Sequence, residues 1–114
     1  MIENKTRKTI IAENFLKKGA LGKIKGLIGK KTPQAIVLNT RFGIHTFLLQ
    51  FPIDVIILDK NGKIVSLKKR LKPNRIFVWD IRFDTVIELP EGSLEKSKTK
   101  VDDIILLRGE SHNI

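Results

Sequence analysis

Residues 53–67 constrain this chain more tightly than any other stretch. Ile53-Asp54-Val55-Ile56-Ile57-Leu58 and Ile64-Val65-Ser66-Leu67 are two runs of strand length, separated by Asp59-Lys60-Asn61-Gly62. Branched side chains pack well on a pleated surface and lose rotamer freedom in a helix. Asn and Gly tolerate the positive φ of a tight turn, so the two runs are expected to pair as an antiparallel hairpin. Ala35–Leu38, Ile76–Trp79, Thr85–Leu89 and Ile104–Leu107 follow the same apolar pattern. Leu89-Pro90-Glu91-Gly92 should end its strand, because proline cannot donate to a ladder and glycine permits a reversal. Several short strands in 114 residues predict a single mainly β domain, folded as a compact antiparallel barrel or sandwich with its core over about residues 9–107.

The N-terminal third reads differently. Leu21, Ile24, Leu27 and Ile28 recur at helical spacing, but Gly19, Gly22, Gly26 and Gly29 interrupt them, each weakening a helix by about 1 kcal/mol relative to alanine. A short, irregular N-terminal helical segment near residues 20–30 is the expectation. Residues 93–100 read as a polar connection and 108–114 as a frayed tail. No run approaches the roughly 18–20 apolar residues of a bilayer span, and the polar, basic start does not resemble a secretory leader. A cytoplasmic location is the default that follows.

Lys and Arg number 22 against 12 Asp and Glu, a formal charge of +10. Nine of the basic and two of the acidic side chains lie in residues 1–33. A second basic cluster, Lys68, Lys69, Arg70, Lys72 and Arg75, contains no acid, and Pro73-Asn74 marks it as a loop. Without cysteine there is no disulfide framework, thiol nucleophile or thiolate metal site.

Gly43-Ile44-His45-Thr46-Phe47-Leu48-Leu49-Gln50-Phe51-Pro52-Ile53-Asp54-Val55, continuing into Leu58-Asp59-Lys60-Asn61-Gly62-Lys63-Ile64-Val65, resembles the DUF192 (UPF0127) family. Lys25-Gly26-Leu27-Ile28-Gly29-Lys30, Val86-Ile87-Glu88-Leu89-Pro90-Glu91-Gly92 and Val101-Asp102-Asp103-Ile104-Ile105 agree in order, so the resemblance spans about residues 9–107. It implies a small, mostly β domain and carries no agreed reaction. Leu48, Leu49 and Gln50 stand where relatives often have a methionine and a basic residue. Asp102 stands where relatives tend to have glycine, and Asp is among the few residues that tolerate the left-handed conformation such a glycine supplies.

His45 and Thr46 with Asp54 form the best polar constellation, since a carboxylate beside an imidazole would fix its tautomer for ligand binding. The same residues also serve structure, a histidine by bonding a carbonyl and an aspartate by capping a turn. Glu88 sits in an apolar strand whose alternation pairs it with Val86, facing either a pocket or water. Trp79 is expected in the core. With two histidines and no cysteine, a metal site has few ligands to draw on, and no P-loop, nucleophile elbow or dinucleotide-binding glycine pattern occurs.

The reading is therefore a non-enzymatic domain without cofactor. It is expected to bind a small polar ligand or a partner at a pocket near His45, Thr46, Asp54 and Glu88. The competing reading is nucleic-acid binding through Lys23, Lys25, Lys30, Lys31, Lys68, Lys69, Arg70, Lys72 and Arg75, whose phosphate contacts would weaken steeply with salt. Few aromatic residues are available for base stacking. Membrane contact by residues 15–31 is disfavoured, because the glycines weaken the helix that must present an apolar face.

Overall fold

The computed structural model describes residues 1–18, 34–47, 49–109 and 112–113. In chain order the elements are β1 (Ile2–Asn4), β2 (Thr9–Ala12), β3 (Leu16–Lys18), β4 (Ile36–Asn39), β5 (Gly43–His45), β6 (Ile53–Leu58), β7 (Ile64–Leu71), β8 (Ile76–Val78), β9 (Thr85–Pro90), α1 (Ser93–Lys96), β10 (Ile105–Leu107) and β11 (His112–Asn113). The segment expected to be helical near residues 20–30 lies outside the described residues, and the short helix that is described follows β9.

The hairpin forms as its turn residues require. β6 and β7 pair antiparallel, and the Gly62 N–H donates to the Asp59 carbonyl at 3.1 Å. Gly62 takes the left-handed conformation at φ 83°, where a Cβ would stand 2.7 Å from the Ile105 carbonyl oxygen, so glycine is needed for both backbone angle and space. Asn61 is not among the positive-φ residues. The Asp59 carboxylate accepts the N–H groups of Asn61 and Lys63. The Lys63 N–H, more than any other group, holds its pKa below the ordinary range.

The main sheet has six strands in the order β11-β3-β4-β9-β6-β7. β11, β3 and β4 run parallel to one another, whereas β4, β9, β6 and β7 pair antiparallel. The sheet is thus mixed rather than wholly antiparallel, and among the described residues it closes no barrel. His112–Asn113, expected in a frayed tail, instead lie beside β3. A second, antiparallel sheet has the order β10-β1-β2, and β5 with β8 forms a separate two-stranded ribbon.

Both faces of the main sheet are covered, which explains why all six residues of β6 are buried and why its sequence is almost continuously apolar. On one face Val37, Ile56, Leu58, Ile87 and Leu89 pack with Ile2, Ile11 and Ile105 of the three-stranded sheet and Leu94 of α1. On the other, Ile36, Leu38, Ile53, Val55, Ile57 and Val86 are covered by Ile44, Phe77, Trp79 and Phe83. Trp79, expected in the core, is half-buried and packs against its edge, donating its indole N–H to the Phe83 carbonyl at 2.8 Å.

The first three strands escaped the hydrophobic pattern because each holds only a few apolar residues. Ile2-Glu3-Asn4 becomes a strand by lying between β10 and β2, with Ile2 fully buried. The polar connection after β9 contains α1, whose single buried anchor is Leu94.

Candidate functional site

Asp54 lies on β6 with no exposed surface. Its Oδ1 accepts the Arg70 N–H and its Oδ2 the Leu94 N–H, each at 2.9 Å. The sequence places it opposite an irregularity: Ile53 pairs with Leu71 but Val55 with Lys68, so β7 has two residues, Lys69 and Arg70, against the one. Arg70 takes a positive φ of 53° in this bulge. One buried carboxylate therefore satisfies a bulge donor and a donor in the first turn of α1. This is a structural clamp, with both oxygens engaged by backbone.

Thr46 is equally buried and equally occupied. Its hydroxyl donates to the Lys72 carbonyl at 2.6 Å and accepts the Arg75 N–H at 2.8 Å, while its carbonyl accepts the Asn74 N–H at 3.0 Å. The side chain and backbone together shape the Lys72–Arg75 loop.

Glu88 is 6% exposed, so it does not face water. Directly opposed residues of antiparallel strands share a sheet face. Glu88 is opposite Val55 and Ile36, whereas Asp54 is opposite Leu89. Val55 and Ile36 belong to one core cluster and Leu89 to the other. Asp54 and Glu88 thus point to opposite faces of the main sheet, and the pocket expected to join them with His45 does not assemble.

His45 alone of the four is exposed. Its ring stacks on Phe47 with centroids 4.9 Å apart, and its Nδ1 accepts the Phe47 N–H at 3.3 Å. A neutral imidazole so engaged carries its proton on Nε2. His45 lies opposite Ile76 and Gly43 opposite Val78, which puts His45, Ile76 and Val78 on one face of the ribbon, while Ile44 and Phe77 turn inward. Gly43 permits this pairing because a Cβ there would stand 2.7 Å from the Phe77 carbonyl oxygen.

That outer face is apolar. Ile76 and Val78 are each 66% exposed, and Phe42, Phe47 and Ile81 are also exposed in the adjoining turns. Sequence alternation alone missed this surface, because Ile76-Phe77-Val78-Trp79 is apolar at every position and does not say which side is covered. Acids near the ribbon are engaged: Asp80 meets Arg82 at 2.8 Å and Asp84 meets Arg41 at 3.7 Å. The Arg82 contact is the leading influence holding the Asp80 carboxyl below its usual range.

The second basic cluster divides. Lys68, Lys69 and Arg70 belong to β7 rather than to a loop, and only Lys72–Arg75 turns. Arg70 bonds Glu95 at 2.7 Å and lies 3.7 Å from Glu91. Among the described residues, Lys68, Lys69, Lys72 and Arg75 form no ion pair. Lys23, Lys25, Lys30 and Lys31 lie outside the described residues.

A third buried carboxylate, Asp103, lies outside the candidate constellation. Asp103 Oδ2 accepts Asn4 Nδ2 at 2.9 Å, Arg7 Nε at 3.0 Å and the Lys100 N–H at 3.0 Å. Burial is the strongest single influence and pushes its pKa up, but the Asn4, Arg7 and Lys100 hydrogen bonds together with the Arg7 charge prevail, leaving it below the ordinary carboxylate range. Asn4 also reaches Thr99, whose hydroxyl meets that of Ser97. Asp102 supplies the turn, taking the left-handed conformation at φ 79° that its place in the motif requires.

A mixed sheet buried on both faces, with the Asp54 carboxylate bound to backbone, defines a small β domain. The family profile of DUF192, described as an uncharacterized ACR, matches residues 22–107, and the chain belongs to that family. It is similar to a UPF0127 protein of Pyrococcus horikoshii, 38% identical over 101 residues covering 83% of each chain. A crystal structure of a protein of unknown function from Novosphingobium aromaticivorans shares the fold, with TM-score 0.72 and 12% identity over 82% of this chain and 74% of that one. A Sinorhizobium meliloti structure, provisionally named a transcription regulator, matches with TM-score 0.68 and 15% identity over 81% of this chain and 79% of that one.

Proposed function

We propose that this chain is a non-enzymatic binding module that meets a partner through the outer face of the β5–β8 ribbon, with His45 at one end of that face. One observation carries the reading. Of the eight large apolar side chains exposed among the described residues, five lie on the β5–β8 ribbon or in its adjoining turns: Ile76 and Val78 on β8, and Phe42, Phe47 and Ile81 beside it. Scattered exposed apolar residues need no explanation, whereas a concentration of them marks an interaction surface. The small-ligand form of the reading loses support, because Thr46 and Asp54 spend their polar atoms on backbone partners.

An environment-sensitive apolar dye tests the surface itself. The parent chain should bind it at the ribbon, and an Ile76→Ser/Val78→Ser double variant should lose most of the signal. An isolated exposed residue, Ile10→Ser, should leave it nearly intact. Equal signals from the parent and the double variant would overturn the reading.

Nucleic-acid binding is the second reading, supported by the absence of ion pairs at Lys68, Lys69, Lys72 and Arg75 among the described residues. Fluorescence anisotropy with short RNA and DNA at low and high salt decides it. Binding that weakens steeply with salt and with Lys68→Glu/Lys72→Glu supports it, and no binding at low salt removes it.

A further inference from the structure

We infer that the partner of the ribbon is an anionic lipid surface, a statement that rests on the proposed contact face and narrows it to one chemistry. The exposed groups are of the kind that enter the boundary between headgroups and acyl chains. Ile76 and Val78 stand side by side on β8, 66% exposed, and Phe47 extends the same end of the ribbon beside His45. Phe42 and Ile81 extend the other end, where Arg41 donates to the Ile81 carbonyl at 2.8 Å.

Charge complements that placement. Lys72 and Arg75 flank the His45 end, held there by their backbone bonds to Thr46, and neither forms an ion pair among the described residues. Arg41 and Arg82 stand at the opposite end and neutralise Asp84 and Asp80. Hydrocarbon with Lys72 and Arg75 at one margin, cations free of ion pairs among the described residues, matches a layer whose interior is apolar and whose headgroups are negative.

The alternatives fit less well. Aliphatic side chains provide no platform for stacking a base, so RNA would gain little from Ile76 and Val78. A folded peptide anchor seeks a concave site. Three clefts lined by described residues, of about 420, 470 and 340 Å³, lie elsewhere, against β2–β3, β1–β2 and α1. No helix among the described residues is long and apolar enough to cross a membrane.

Vesicle flotation tests the inference with the full chain. Vesicles of equal parts phosphatidylglycerol and phosphatidylcholine should carry the parent protein upward, and pure phosphatidylcholine should carry far less. Ile76→Ser/Val78→Ser should weaken partition about tenfold or more through lost apolar burial, and Lys72→Glu/Arg75→Glu by a similar factor through lost attraction. High salt should reduce partition of the parent but not abolish it. A thermal melt of each variant establishes that it is folded, and the salt series on the parent needs no variant at all.

If the parent ignores the anionic vesicles, or if both double variants float as well as it does, the lipid assignment is overturned. Ribbon-dependent dye binding without vesicle binding overturns the lipid assignment and leaves the contact face standing. So does RNA binding or self-association abolished by Ile76→Ser/Val78→Ser. Loss of both vesicle and dye binding in the parent overturns the two together.

Discussion

Asp54 and Ile76 invert the ordinary placement of charge and hydrocarbon. The carboxylate has no exposed surface, and the aliphatic side chain is 66% exposed. Asp54 is inside because two backbone donors, from the β7 bulge and the start of α1, meet there and need an acceptor. Ile76 is outside because the ribbon has only two strands: Ile44 and Phe77 cover the main sheet, and no described element covers the other side. Polarity at Asp54 serves architecture. Hydrocarbon at Ile76 is the surface proposed for contact.

Changing the carboxylate should do the greatest damage. Asp54→Ala leaves the buried Leu94 N–H and the part-buried Arg70 N–H without their acceptor and should destabilise the fold by about 2–4 kcal/mol, read by chemical denaturation. Asp54→Asn keeps one oxygen and should lose less. A loss below about 1 kcal/mol for Asp54→Ala would show that the clamp is not the reason for its burial.

Asp103 extends the same logic to pH. Its folded pKa lies below the unfolded one, so the unfolded chain takes up the proton first. Its contribution is complete at neutral pH and disappears as pH falls through about 4 toward the folded value. Asp103→Asn should therefore lose about 2–3 kcal/mol at pH 7 and flatten the acid limb of stability against pH. An unchanged acid limb would assign acid sensitivity to other carboxylates.

Gly43→Ala tests how closely β5 must approach β8. A Cβ 2.7 Å from the Phe77 carbonyl oxygen forces backbone apart and should destabilise by about 1–3 kcal/mol. It should also weaken dye binding by distorting the ribbon. The smallest stability effect is expected on the exposed face: Ile76→Ser and Val78→Ser should each change stability by no more than about 0.5 kcal/mol. A large loss there would mean that the face packs against another part of the chain.

The hairpin was the most legible part of the fold, because Ile53–Leu58 and Ile64–Leu67 combine branched runs with a turn that needs Gly62. β9 was legible up to its Pro90-Glu91-Gly92 ending. β1 was not, because Ile2-Glu3-Asn4 acquires strand structure only from neighbours about a hundred residues away at β10 and a few residues away at β2. At the site, His45 was visible as a residue of interest. The neighbours that give it an apolar surface were not, since every residue of Ile76-Phe77-Val78-Trp79 suits a core.

Residue types and spacing by themselves determined that the chain makes short strands, where its tight hairpin turn falls, and that Val86 and Glu88 share a face. They also marked Asp102 as fit for a left-handed turn. Register was decided only by the tertiary structure: Asp54 opposite Leu89 rather than Glu88 sends the two carboxyl groups to opposite sides of one sheet. Side chains alternate with period two, so a shift of a single residue exchanges the faces, and whole-core packing selects between them.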